Sequence, residues 1–179
     1  MVKREYTHVD GFNYTSLIGL SGIYIFQELY GNLVYIGMWY NDDFRSRMRK
    51  HGSDVDSKYD SNIHYIHVII VDQNIYPILP LEHLYIWYFN LTDQQLLFYK
   101  WDDNEEVVKQ KAKEQNLDIG DSIKDFLLTF ECVLLEKEWG EDSAAKRYGE
   151  VEKLSSKKYQ CDGSIKCRCY RCLLNRRKN

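Results

Sequence analysis

Two short runs of β-branched and aromatic residues, separated by a turn, constrain this chain more than any other feature. Gly22-Ile23-Tyr24-Ile25-Phe26 is followed by Tyr30-Gly31-Asn32 and then by Leu33-Val34-Tyr35-Ile36. Runs of this composition read as strands, and the glycine-asparagine step between them supplies turn chemistry, so the segment is expected to be a β-hairpin.

Beyond the hairpin the chain reads as a small α/β domain. Asn41, Asp42 and Asp43 suit a helix start: a capping side chain, then acids facing the positive end of the helix dipole. That helix should run to about His51, with Gly52 ending it. Residues 53–62 are a polar loop, and Ile63 to Val71 has the β-branched content of a third strand. Pro77 and Pro80 break the chain, and Pro80 suits a first helical turn. Leu81, Leu84, Tyr85, Tyr88 and Leu91 recur at helical spacing. Residues 102–116 form a polar helical stretch. Asp121 or Ser122 caps a further helix, whose apolar face would be Ile123, Phe126, Leu127, Phe130 and Leu134. The expected fold is α/β: a short three-stranded antiparallel sheet flanked by helices, then a C-terminal helical region and a cysteine-rich tail. Residues 1–150 are expected to form one domain, with a core at 21–92 and a helical extension at 102–150; the tail is 155–179.

Composition sets the class. The chain has 179 residues, 44% hydrophobic and 28% charged, as expected of a globular protein. No apolar run approaches the roughly 18 residues a membrane helix needs. The N-terminus lacks a signal-peptide pattern, so a cytoplasmic location without membrane association is expected. The net charge of −3 argues against a nucleic-acid binder, but its distribution does not. Residues 155–179 carry eight Lys or Arg and one acid, a segment charge of +7 that leaves −10 on the remainder. A basic tail on an acidic body suits a phosphate-seeking arm; a solvated terminus is the plainer alternative.

Gly22-Ile23-Tyr24 and, after ten intervening residues, Tyr35-Ile36-Gly37 resemble the name-giving motif of the GIY-YIG nuclease family. The helix after the second strand, Phe44-Arg45-Ser46-Arg47-Met48-Arg49-Lys50-His51, is similar to the family's arginine-bearing helix, with histidine four residues after the arginine. The resemblance covers residues 21–51 and extends less distinctly to about residue 90. It implies a metal-dependent DNA endonuclease in which Tyr24 acts as base or positions water. Tyr35 and His51 would then position or protonate, Arg47 would stabilise phosphate charge, and one glutamate would hold Mg2+ or Mn2+. The chemistry is reasonable on its own terms. Tyr24 and Tyr35 lie on paired strands, and positions 47 and 51 share a helix face. A guanidinium suits phosphate, and nearby cations would lower the pKa of a tyrosine base. Arg45, Arg49 and Lys50 add cationic contacts for DNA.

Two glutamates compete for the metal. Glu82, in Leu81-Glu82-His83-Leu84, is similar to the family's segment after the third strand; Glu131, in Phe130-Glu131-Cys132, lies on the helix expected after Ser122. Glu82 is preferred and Glu131 is the runner-up. The sequence departs from the family where a lysine often follows the second motif: here the residue is Met38.

Four of the five cysteines, Cys161, Cys167, Cys169 and Cys172, fall in one short segment. In a reducing compartment such a cluster points to Zn2+ before disulfides. Lys166, Arg168, Arg171, Arg176 and Arg177 surround it and would add DNA affinity. Cys132 reads as core. His64 and His67 are three apart on a strand, so they cannot easily share an ion. The leading expectation is a restriction-like or phage-type endonuclease, for which a homodimer is one arrangement. The alternatives are a nuclease-fold module that binds DNA or protein without cleaving, and a structure-specific repair nuclease.

Overall fold

A computed structural model describes residues 17, 19–28, 31–40, 44, 46–48, 63–91, 104–136, 167 and 170–176. Its centre is a four-stranded antiparallel sheet of β1 (Gly22–Glu28), β2 (Leu33–Trp39), β3 (Ile63–Ile70) and β4 (Cys132–Glu136), in the order β2-β1-β3-β4. The expected hairpin forms, with Gly22 opposite Trp39 and Tyr24 opposite Gly37. Near its turn the register shifts at Phe26/Gln27 toward β2 and at Gln27/Glu28 toward β3. The Gln27 side chain steadies this bend. Its amide donates to the Gly31 carbonyl at 3.1 Å, and its oxygen meets His67 Nε2 at 2.8 Å in the interior. His67 is therefore a structural partner of β1.

The fourth strand corrects the expectation of three. The helix predicted to run from Ser122 through Leu134 ends early: α3 spans Ile123–Leu128 and the chain then enters β4. Cys132-Val133-Leu134-Leu135 fits either periodicity, because an apolar run this short carries no clear period. Pairing with β3 decides it, with Val68 opposite Val133 and Ile66 opposite Leu135.

The two faces of the sheet bury different cores. Ile23, Ile25, Ile36 and Ile69 face α1 (Ile78–Tyr88), α2 (Glu105–Glu114), α3 and α4 (Tyr170–Asn175). On the other face Tyr24, Phe26, Trp39, Ile66, Val68 and Leu135 meet Phe44 and Met48. Phe44, Ser46, Arg47 and Met48 are helical, as the sequence predicts; residues 41–43 and 49–62 lie outside the described residues.

α1 is mostly apolar, and Ile78, Leu81, Leu84, Tyr85, Ile86 and Tyr88 are all buried, as befits a helix covered on several sides. It ends in a 6→1 and 5→2 pair of hydrogen bonds, Leu91 N to Ile86 O at 3.1 Å and Asn90 N to Trp87 O at 3.0 Å, with Asn90 at φ 53°. α2 ends the same way, with Asn116 at φ 61° and Leu117 N bonded to Ala112 O at 2.9 Å. Both are the motif that satisfies orphan carbonyls by one left-handed residue. At the other helix ends, Asn104 caps α2 by accepting from Glu106 N at 2.9 Å, and Ser122 caps α3 by accepting from Asp125 N at 3.2 Å.

The C-terminal segment joins this core. Tyr170, Leu173 and Leu174 of α4 are buried in the cluster shared by α1, α2 and α3, and Cys167 is buried as well. Among the described residues no helix is long and apolar enough to cross a membrane.

Candidate active site

The hairpin register sets the two motif tyrosines. Tyr35 lies opposite Phe26, so Tyr24 and Tyr35 are diagonal neighbours on one face rather than direct partners. Their ring centroids are 5.9 Å apart. The diagonal leaves Gly37 directly opposite Tyr24, and a Cβ there would run into the Tyr24 hydroxyl and ring and into the Tyr35 ring. Gly22 is under a like constraint, because a Cβ would meet the Ile69 carbonyl and the Trp39 indole. The two glycines of the motif are thus steric requirements of the hairpin.

The helical residue Arg47 reaches the same place. Its Nε donates to the Tyr24 hydroxyl at 3.3 Å, while neighbouring Phe44 meets the Tyr24 ring edge-on at 5.8 Å. Tyr24 is fully buried, and burial holds its hydroxyl pKa well above the ordinary tyrosine value. Tyr35 adds to that rise, and the Arg47 charge only partly opposes it. This corrects the expectation of a tyrosine acidified by its cations: in this state Tyr24 is a protonated phenol. Tyr35 is also raised, first by burial and then by the negative charge of Glu82, with Arg47 and the Tyr24 hydroxyl pulling it down. For Arg47, burial works against the charge, and Tyr24, Tyr35 and Glu82 more than offset it.

Glu82 belongs to α1, on the opposite side of the sheet, yet it couples electrostatically to Tyr35 and Arg47. α1 packs against β2, the edge strand that carries Tyr35. Glu82 is the only acid in α1. Burial pushes its carboxyl up to about 7, against the pull of Arg47. No hydrogen bond or ion pair engages it among the described residues. A half-buried carboxylate of this kind, beside a guanidinium, is chemically suited to a hard divalent cation.

Glu131 is placed differently. It is exposed and immediately precedes β4, where its backbone carbonyl accepts from Ile70 N at 2.9 Å; it is not on a helix. Met38 packs with the α1-side core, on the opposite face from Tyr35. Tyr24, Tyr35 and Arg47 are therefore brought together, and the Glu82 charge acts on Tyr35 and Arg47; Glu131 lies beside β4, at the sheet edge opposite β2.

His51, Arg45, Arg49 and Lys50 lie outside the described residues, as do Cys161, Cys169, Lys166, Arg168 and Arg177. Cys167 is buried, and Cys172 and Cys132 are partly buried. Arg171 and Arg176 are exposed on and just after α4. Among the described residues no group of three or more His, Cys, Asp or Glu is arranged to hold a metal.

Sequence reasoning missed the buried tyrosine contacts between α1 and α4. The Tyr85 and Tyr170 hydroxyls are hydrogen-bonded to each other, Tyr170 donates to the Leu127 carbonyl at 2.9 Å, and Tyr88 donates to the Leu174 carbonyl at 2.9 Å. Nothing local announces them, because their partners are 43 to 86 residues apart. No protein-family model, curated protein or solved structure matches this chain.

Proposed function

We propose that the protein is a metal-dependent DNA endonuclease of the GIY-YIG type that hydrolyses phosphodiester bonds. The observation that carries this reading is the convergence of Tyr24, Tyr35, Arg47 and Glu82, from two strands and two helices, on one electrostatically coupled cluster. A structural role explains any one of these residues. Taken together, they supply the cation, the hydroxyls and the carboxylate that phosphodiester hydrolysis uses, with the carboxyl raised by burial to about 7.

Phosphodiester hydrolysis needs charge stabilisation on phosphate, a deprotonated nucleophile and help for the leaving oxygen. Arg47 supplies fixed positive charge to the phosphate. Glu82 would hold Mg2+ or Mn2+, which when bound adds positive charge beside the phosphate and the leaving oxygen. Arg47 donates to the Tyr24 hydroxyl, and the Tyr35 ring lies beside that of Tyr24, so the guanidinium and the two phenols adjoin one another. Tyr24 is a neutral phenol in this state and becomes a base only when added positive charge overcomes its burial. Arg171 and Arg176 add non-specific phosphate contacts.

The test is cleavage of supercoiled plasmid with Mg2+ or Mn2+ by the wild type, Tyr24→Phe, Arg47→Ala and Glu82→Ala. Cutting by the wild type and loss of at least a hundredfold in each variant supports the reading. Activity should also rise with pH through about 7, because the cation must displace the Glu82 proton.

One observation favours a second reading, a nuclease-fold module that binds DNA without cutting it. The Tyr24 hydroxyl is fully buried and held protonated. DNA binding by the wild type without cleavage under any divalent ion would select it.

A further inference from the structure

The α1–α4 contacts lie on the helix that carries Glu82. Tyr85 and Tyr88 come after Glu82 by one and two steps of three residues, so they continue along neighbouring turns of the same helix. Their hydroxyls end on α4: Tyr85 against the Tyr170 hydroxyl, and Tyr88 on the Leu174 carbonyl at 2.9 Å. The Tyr170 hydroxyl is committed in turn to the Leu127 carbonyl at the end of α3, at 2.9 Å. This fixes the direction of the chain: Tyr85 donates to Tyr170, and Tyr170 donates to Leu127. Tyr85 and Tyr170 are buried, and burial holds both hydroxyls in the protonated, donating form. Buried polar groups of this kind are costly to leave unpaired, so the chain of bonds is stiff as well as specific.

α1 needs such a constraint. Most of its packing against β1, β2 and the neighbouring helices is apolar, and apolar contact is non-directional. It fixes how deep the helix lies better than how far it has rotated about its axis or slid along it. Those two freedoms decide whether Glu82 comes level with Tyr35 and Arg47 past the sheet edge.

We propose that the C-terminal helix is a clamp on α1, in which Tyr170, bridging Tyr85 and the Leu127 carbonyl and assisted by the Tyr88–Leu174 hydrogen bond, is a positioning residue for the Glu82 carboxylate. This rests on the nuclease reading for its purpose, but the clamp itself is testable without it. The final cysteine-containing stretch of the chain then acts on the site from inside the fold, whatever its basic residues do outside.

The experiment uses the full chain and reads amide hydrogen exchange of residues 81–88 beside the half-saturation of the protein with Mn2+. Tyr170→Phe is expected to fold, to speed exchange in this stretch about tenfold, and to raise the Mn2+ half-saturation about tenfold. Asn104→Ala, which weakens α2 at its cap without touching the clamp, should leave both readouts unchanged. Should Tyr170→Phe not fold, Tyr88→Phe is read in the same way, with a smaller expected change. A folded Tyr170→Phe, or Tyr88→Phe in its place, with unchanged exchange in α1 overturns the proposal; where the wild type binds Mn2+, so does an unchanged half-saturation. An equal change in Asn104→Ala, which would mean general softening, overturns it as well. A wild type that neither binds Mn2+ nor cuts, but whose α1 exchange still quickens in Tyr170→Phe, overturns the nuclease reading and leaves the clamp standing.

Discussion

At the scale of single residues, the site is built around two that the local structure would not choose. Gly37 in a strand gives up side-chain packing and adds backbone entropy to the unfolded chain, yet a Cβ there would strike Tyr24 and Tyr35. Gly37→Ala is therefore expected to cost about 2 kcal/mol or more, as overpacking does, and to reduce cleavage beyond its effect on stability. Urea unfolding compared with plasmid cutting separates the two. Glu82 is the second. Its folded-state carboxyl titrates near 7 against an ordinary 4.5, so the folded protein holds a proton that the unfolded chain releases. That favours folding fully below about pH 4.5, and the contribution is lost as pH rises through 7; the amount is about 3 kcal/mol. Glu82→Gln removes the titration. With EDTA present it should be more stable than the wild type at pH 8, with the difference vanishing by pH 4–5, and it should not cut DNA. Equal stability at pH 8 would mean that the carboxyl is not strained.

At the scale of elements, the caps follow the sequence and the third helix does not. Asn104 and Ser122 hold the first turns of α2 and α3, as side chains of their type do ahead of a helix. Asn90 and Asn116 end α1 and α2 in the left-handed region. There a β-branched residue is strained, so Asn116→Val should cost about 1–2 kcal/mol while Asn116→Gly should be neutral or slightly stabilising. Thermal unfolding of the two variants checks this. The boundary between α3 and β4 was not readable locally. Phe130 and Leu134 continue a helical spacing from Ile123, and only the open edge of β3 turns residues 132–136 into a strand. That change takes Glu131 off a helix and sets it beside β4, at the sheet edge opposite β2.

At the scale of the whole molecule, α4 is internal structure. Its Tyr170, Leu173 and Leu174 are buried against the same core as α1. At ~1.5–3 kcal/mol for each such side chain, their removal costs roughly 5–9 kcal/mol, a large part of the stability of an ordinary domain. Ending the chain after Lys166 should therefore abolish a cooperative urea transition or move it to much lower urea. A detached basic arm predicts an unchanged midpoint, and circular dichroism during the titration distinguishes the two.

The hairpin, its two tyrosines, its two glycines and the helical arginine were legible in the sequence because each depends on neighbours in the chain. Strand composition, turn residues and helical spacing are short-range properties, and the hairpin converts them into a defined face. Other features needed the folded chain. The register set Tyr24 diagonal to Tyr35 rather than opposite it. Burial reversed the expected direction of the Tyr24 pKa, since desolvation of a fully enclosed phenol outweighs one neighbouring guanidinium. The coupling of Glu82 to Arg47, the fourth strand and the contacts of α4 with α1 all join segments separated by 30 residues or more along the chain, from Arg47 to Glu82 and from Tyr85 to Tyr170. Composition and spacing set what each segment can become. Which segments meet depends on how one set of apolar faces is buried at once, and that is a property of the tertiary structure alone.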